Sequence, residues 1–165
     1  MVQAGHRRIA YMGIDSSEPV EALRLQGYRE ALAAYGLPHL PQWEKAAADY
    51  TPGSGSRAME GLWGAEPQPT AVLGAADTLI AGAMQYLYQA GVRVPEDISL
   101  MGYDNTVSAM LSPPVDSIGI HAREMGEKAV GLLLRRREEP EGGPETLWVG
   151  TERISRGTVA PPPQE

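Results

Sequence analysis

Apolar and polar positions fall in blocks along this chain: short apolar runs give way to stretches with helical spacing, then return. The clearest passage is residues 70–105, TAVLGAADTLIAGAMQYLYQAGVRVPEDISLMGYDN. Residues 70–75 are a short apolar run between Pro69 and a Gly-Ala-Ala-Asp turn, the pattern of a strand buried on both faces. Across 78–90, Leu79, Ile80, Ala83, Met84 and Leu87 recur at helical spacing as one apolar stripe, with Asp77 placed to cap the helix. Gly91 follows the last turn, Pro95 keeps the helix from resuming, and residues 98–103 supply the next strand. A strand, helix and strand in this succession imply parallel pairing.

The same alternation runs through the rest of the chain. Residues 8–14 (RIAYMGI) read as a first buried strand, and Ser16, Ser17 and Pro19 mark a helix start. In that helix Val20, Leu23, Gly27, Tyr28, Ala31, Leu32 and Tyr35 share one face, with Arg24 off the stripe, and Gly36 and Pro38 end it. Residues 44–50 form a weaker strand and 54–63 a helix. A long helix is expected over 121–137 with Ala122, Met125, Ala129, Leu132 and Leu133 inward. Residues 140–144 make a surface turn, after which 147–149 and 153–155 are expected to pair as short strands. The pattern predicts an α/β fold: a doubly wound, mostly parallel sheet with helices on both faces. Residues 1–159 make up the domain, and the tail 160–165 (APPPQE) is expected to be disordered.

Composition narrows the function classes. A length of 165 residues suits one domain able to bury roughly 70% of its unfolded surface. No cysteine is present, which excludes disulfides and thiolate metal sites and makes the cytoplasm the expected compartment. Apolar runs are too short to span a membrane, and the first residues lack the apolar region of a secretory signal. A net charge of −7 argues against this segment itself being a nucleic-acid platform. There is no G-x-S-x-G elbow and no H-E-x-x-H, and the histidines at 6, 39 and 121 stand in unrelated contexts, so catalysis is not expected. Gly53-Ser54-Gly55-Ser56-Arg57-Ala58 imitates a dinucleotide turn, but KAAADYTP ahead of it is a poor hydrophobic strand, and no cofactor is expected. The Arg135-Arg136-Arg137 run fits the negative end of a helix macrodipole. Ligands of open α/β sheets bind outside the carboxyl ends of the strands, so Asp77 and Asp104 both face that crevice, and two carboxylates there point to a polar ligand.

Several segments then combine. HRRIAYMG, ALRLQGYREALAAYG, DYTPGSGSRAM, the run 69–105, SPPVDSI and RISRGTVAP follow one another through nearly the whole chain. Together they resemble the effector-binding domain of LacI/GalR-type bacterial transcription regulators, and VPEDISLMGYD is the most specific of them. The resemblance implies a type I periplasmic-binding-protein-like lobe. Members of that family open with a helix-turn-helix headpiece and a first lobe, so the chain is expected to be the C-terminal lobe, with residues 118–149 crossing over to complete the N-terminal one. The implied function is effector sensing, with a small sugar- or nucleoside-like molecule controlling DNA binding by the headpiece. A solute-binding protein of a sugar transporter shares the fold and is the second reading. A dinucleotide-dependent enzyme is a distant third.

The resemblance also implies a site. Arg24, ahead of Gly27 and Tyr28, matches the arginine that donates to ligand oxygens, a task suited to the guanidinium fork; read without the resemblance, the favoured alternative is a solvated helix arginine paired with Glu21 or Glu18. Asp104 matches the strand-end aspartate that accepts from ligand hydroxyls or N–H groups, which selects donor-bearing ligands such as sugars and nucleosides; the alternative is an Asx turn through Asn105 and Thr106. Tyr50 matches a ring-stacking aromatic, or packs at the rim. The family's Asn before Asp77 is Ala76 here, which favours a cap over a ligand contact for Asp77. Ala122 stands where sugar-binding members often carry an aromatic, leaving His121 beside it as a candidate contact. Ala81, Gln85 and Tyr88 line up opposite the core stripe of the 78–90 helix. With Met110 and Leu111, they are the expected interface of a two-fold homodimer.

Overall fold

A computed structural model of the chain describes residues 1–15 and 17–164, so Ser16 and Glu165 lie outside the described residues. Strands β1 (Ile9–Ile14), β2 (Glu44–Ala47), β3 (Ala71–Gly74), β4 (Ser99–Asp104), β5 (Asp116–Ile120) and β6 (Thr151–Ile154) are joined by helices α1 (Pro19–Ala34), α2 (Pro52–Trp63), α3 (Asp77–Gln89) and α4 (Ala122–Glu138), except that β4 leads to β5 through a loop with one 3-10 turn. The strands form one six-stranded sheet in the order β2-β1-β3-β4-β5-β6, parallel throughout except for β6. The chain steps from β1 outward to β2, then back across β1 to β3 and on to β4. Right-handed crossovers therefore put α1 on one face and α2 and α3 on the other. The order reverses at β1, which opens a crevice at the carboxyl edge.

Strands β1, β3 and β4 carry near-continuous apolar runs because both faces are covered: Ala10, Met12, Val72 and Leu100 are fully buried. On the face of α2 and α3 the core closes over Met59, Leu62, Leu79, Ile80 and Leu87. These two helices approach closely because two glycines permit it. A Cβ at Gly55 would lie 2.3 Å from the Leu79 carbonyl oxygen, and one at Gly82 would lie 1.8 Å from that of Pro52. The dinucleotide-like GSGSRA therefore lies inside α2, whose start is capped by the Thr51 hydroxyl accepting from Ser54 N–H at 3.3 Å.

Three expectations are corrected. The buried residues of α1 are Glu21, Tyr28 and Leu32, while Val20, Leu23 and Tyr35 are exposed. Tyr28 sets this rotation: its ring stacks on Tyr11 at 5.3 Å and its hydroxyl donates to the Ile9 carbonyl at 2.8 Å. Leu23, Gly27 and Ala31 instead border an apolar cavity of about 450 Å³, walled by Leu73, Met101 and Ile118 of the sheet. Helix α4 buries no residue, and Met125 and Leu133, expected inward, are exposed. Its surface is held by pairs one turn apart, Glu124–Lys128 at 2.7 Å and Arg123–Glu127 at 3.0 Å. Residues 147–149 join no strand; β6 pairs with β5 instead. The cause is Asp116, fully buried on β5, whose Oδ1 accepts from the N–H groups of Arg156 (2.7 Å), Gly157 (2.8 Å) and Thr158 (3.0 Å) and so draws the returning chain onto that edge.

Ala160, expected to open a disordered tail, is tied to the body. Its carbonyl accepts from His6 Nε2 at 2.7 Å and its N–H donates to the Ser99 hydroxyl at 3.1 Å. Pro162 lies against Gly5. His6 is itself buried, with Nδ1 2.9 Å from the Thr70 hydroxyl, so it joins the starts of β1, β3 and β4 to the end of the chain.

Candidate ligand site

At the carboxyl edge four of the parallel strands, β1 to β4, each lead to one wall. The loop after β1 leads to Arg24 on α1, the turn after β2 carries Tyr50, β3 ends at Ala75 and Ala76, and β4 ends on Asp104. A cavity of about 360 Å³ lies between them, lined by Val20, Arg24, Tyr50, Ala76, Thr78, Asp104 and Thr106. It is smaller than the apolar cavity beside α1, but its polar groups converge, which is what marks a recognition site.

Arg24 is fixed at three points. It donates from one terminal nitrogen to the Ala75 carbonyl at 2.7 Å and from the other to Asp104 Oδ1 at 2.9 Å, and its guanidinium carbon sits 4.3 Å from the centre of the Tyr103 ring. The Arg24 and Asp104 side chains keep 18% and 22% of their surface exposed, so both are held yet reachable. Burial pushes the Asp104 carboxyl above its ordinary range, Arg24 opposes this, and the nearby Asp77 charge adds to the rise. The Asx-turn alternative for Asp104 does not form: the Thr106 N–H that such a turn would use goes to Asp77. Asp104 and Asn105 take φ of +88° and +55°, a sharp corner that ends β4 with two non-glycine residues in the left-handed region.

Asp77 holds that corner. It is 1% exposed, opens α3 without capping it, and sends both oxygens to the loop and β5. Oδ1 accepts from the Ser117 hydroxyl at 2.7 Å, and Oδ2 from the N–H groups of Thr106 (2.7 Å), Val107 (3.3 Å) and Ser108 (3.2 Å). This corrects the cap expected there: three distant backbone donors outcompete the helix's own. Gly102 makes room, since a Cβ on it would lie 2.2 Å from Asp77 Oδ1. From the other side Arg156 donates to Asn105 Oδ1 at 2.6 Å and to the Val115 carbonyl at 2.9 Å.

Tyr50 donates its hydroxyl proton to Oε1 of Glu21, a residue only 4% exposed that also lies 3.7 Å from the Arg24 guanidinium. Burial and this bond push the Tyr50 phenol up to about 12. His121 is half-buried just before α4 and is not among the residues lining the cavity. Of the expected interface residues, Tyr88 is 86% and Met110 76% exposed, Gln85 is exposed, Ala81 half-buried, and Leu111 packs partly buried against the core. Glu21, Ser117 and Arg156 support the site without a clear sequence signal; Glu21 stands out only by its spacing of three from Arg24.

Residues 1–159 match the family model described as a periplasmic binding protein-like domain. The ribose operon repressor of Haemophilus influenzae is 34% identical over 161 residues, 96% of this chain and 48% of that protein. Among solved structures, a transcriptional regulator CelR–cellobiose complex superposes with a TM-score of 0.89 at 34% identity, covering 96% of this chain and 48% of that one. A LacI family regulator from Enterococcus faecium with bound ribose gives 0.86 at 28% identity, covering 97% and 59%. The chain spans about half the length of the curated relatives it matches.

Proposed function

The chain belongs to the periplasmic binding protein-like family, on its LacI-type branch, and on that footing we propose that it is the effector-sensing lobe of a bacterial transcription regulator. The observation that carries this reading is the Arg24, Tyr50 and Asp104 wall at the point where strand order reverses. An acceptor-only carboxylate beside an anchored guanidinium suits a ligand with both donors and acceptors on adjacent atoms, which is the chemistry of a sugar or the ribose of a nucleoside. The cellobiose and ribose bound by the two structural neighbours support the same class.

The effector closes this lobe against a second one and biases DNA-binding headpieces between two states, so DNA is engaged through the headpiece and not through this acidic lobe. The unpacked α4 supports residues 118–149 as the segment that joins the second lobe. The exposed Tyr88 and Met110, with Gln85, Ala81 and Leu111, support a two-fold homodimer. No chemistry on a bound molecule is assigned, and the relatives are repressors and regulators, which favours this reading over a transport protein. The proposed compartment is the bacterial cytoplasm, where such a regulator meets its operator; no described helix is long and apolar enough to cross a membrane.

The test is Asp104→Ala in a protein carrying both lobes and the DNA-binding part. Operator binding without effector should be unchanged, and its response to effector should be lost. A normal effector response in that variant would overturn the assignment.

A further inference from the structure

Behind the exposed wall of the site lies a carboxylate that the effector reading does not require. Glu21, in the first turn of α1, is 4% exposed and faces three groups. Tyr50 donates its phenol proton to Oε1, the Arg24 guanidinium lies 3.7 Å from the same oxygen, and Oε2 is buried without a hydrogen-bond partner among the described residues. The Tyr11 hydroxyl, likewise buried without a partner, belongs to the same electrostatic neighbourhood. A buried carboxylate with an unfilled oxygen holds any available donor strongly, because releasing that donor would leave the charge still less compensated.

The consequence falls on Tyr50. A phenol has one proton and two lone pairs. With the proton committed inward, the oxygen can show the cavity only lone pairs. Tyr50 therefore differs from an ordinary tyrosine, which donates or accepts as its ligand requires. We propose that Glu21 is a positioning and specificity residue that makes Tyr50 an obligate acceptor, so that the effector must present a hydroxyl or N–H donor to Tyr50 in addition to the one it presents to Asp104. This rests on the effector reading above and deepens it: the ligand class narrows to molecules with two separate donors, such as polyols and pentoses, and excludes those that offer an ether, carbonyl or halogen at the Tyr50 position.

The experiment has two arms on the 165-residue chain. In the first, without ligand, the Tyr50 ring is observed by NMR. Its Cζ shift, which reports donation of the phenol proton, should move when Glu21→Leu removes the acceptor, while circular dichroism shows the fold kept; an unmoved shift overturns the proposal. In the second, D-ribose is compared with ribose analogues in which one hydroxyl at a time is replaced by fluorine, which can accept weakly but cannot donate. The wild-type chain should prefer ribose to the analogue altered at the Tyr50 position by about tenfold, since a lone pair facing fluorine is left unpaired. In Glu21→Leu, where Tyr50 is free to donate, that ratio should fall towards one, and Tyr50→Phe should remove it by a separate route. Discrimination that persists in Glu21→Leu overturns the role of Glu21 while leaving the effector site intact. Failure of ribose and all analogues to bind any version would defeat the effector reading itself, and this inference with it.

Discussion

Asp104 carries a charge that burial disfavours and Arg24 makes tolerable, and its behaviour with pH follows from that contest. Its carboxyl sits above the ordinary range, so in the folded state it takes up a proton earlier on acidification than a solvated aspartate does. The sign for folding is that protonation relieves a cost. For binding it is opposite: effector affinity that uses the ionised form should fall as pH drops through that raised range, and Asp104→Asn should flatten the profile. Calorimetry across mildly acidic pH checks this. Asp77 should behave differently. Asp77→Ala strands a hydroxyl and three N–H groups and should cost about 3 kcal/mol in denaturant unfolding, whereas Asp104→Ala should leave the melting temperature within a few degrees. Asp104 stands out in the sequence by its place at a strand end, whereas Arg24 and Tyr50 are marked only by the family resemblance; the parallel sheet brings all three to one edge. The supports are not legible there, since the partners of Asp77 lie 29 to 40 residues away and nothing local announces them. Asp77 reads as a cap for the same reason: the distant donors that take it are invisible in its own segment.

At the scale of elements, β1, β3, β4, α2 and α3 follow directly from apolar periodicity, because their partners are present in the chain and bury the expected faces. The departures come where packing is one-sided. In α1 the Tyr11–Tyr28 stack turns the helix so that Leu23, Gly27 and Ala31 face the groove, and in α4 the stripe finds nothing to bury against. Glycine substitutions distinguish these situations. Gly82→Ala forces a Cβ into the Pro52 carbonyl and should destabilise by about 2 kcal/mol or more, while Gly27→Ala meets open space within its helix and should stabilise by up to about 1 kcal/mol. Chemical denaturation of both variants measures the contrast. The C-terminal segment should be the first element released by acid. Burial drives the His6 ring below its ordinary value of 6.5, so its contribution is complete above that pH and is lost as the ring protonates below it. Asp116 adds a second step: burial raises its carboxyl, but the N–H groups of Arg156, Thr158 and Gly157 outweigh this and hold it below 3.8, so that anchor fails only at lower pH. Protection of the Thr158 and Ala160 amides, taken relative to their intrinsic exchange rates, should therefore fall on acidification below pH 6.5, while that of Leu79 and Ile80 stays high.

At the scale of the whole molecule, the proposed function makes the carboxyl edge one wall of a recognition cleft and the exposed Tyr88 side of α3 a face for a second copy. If α3 meets its own copy, Tyr88→Glu with Met110→Glu should give a folded monomer in sedimentation, and a wild-type chain already monomeric at high concentration would remove the dimer proposal for this chain. Met110 is the better site than Leu111, which packs partly against the core. The proposed site, with one wall, also bounds the affinity, because a small ligand held on one side buries too little surface for tight binding. The most direct measurement is an NMR titration of the isotopically labelled chain with D-ribose, comparing wild type with Asp104→Ala. The site described here predicts fast exchange, a dissociation constant of about 1 mM or weaker, and shifts confined to Arg24, Tyr50, Asp104 and Thr106, all absent in Asp104→Ala. Shifts centred instead on the apolar cavity beside α1, or binding that survives Asp104→Ala unchanged, would contradict it.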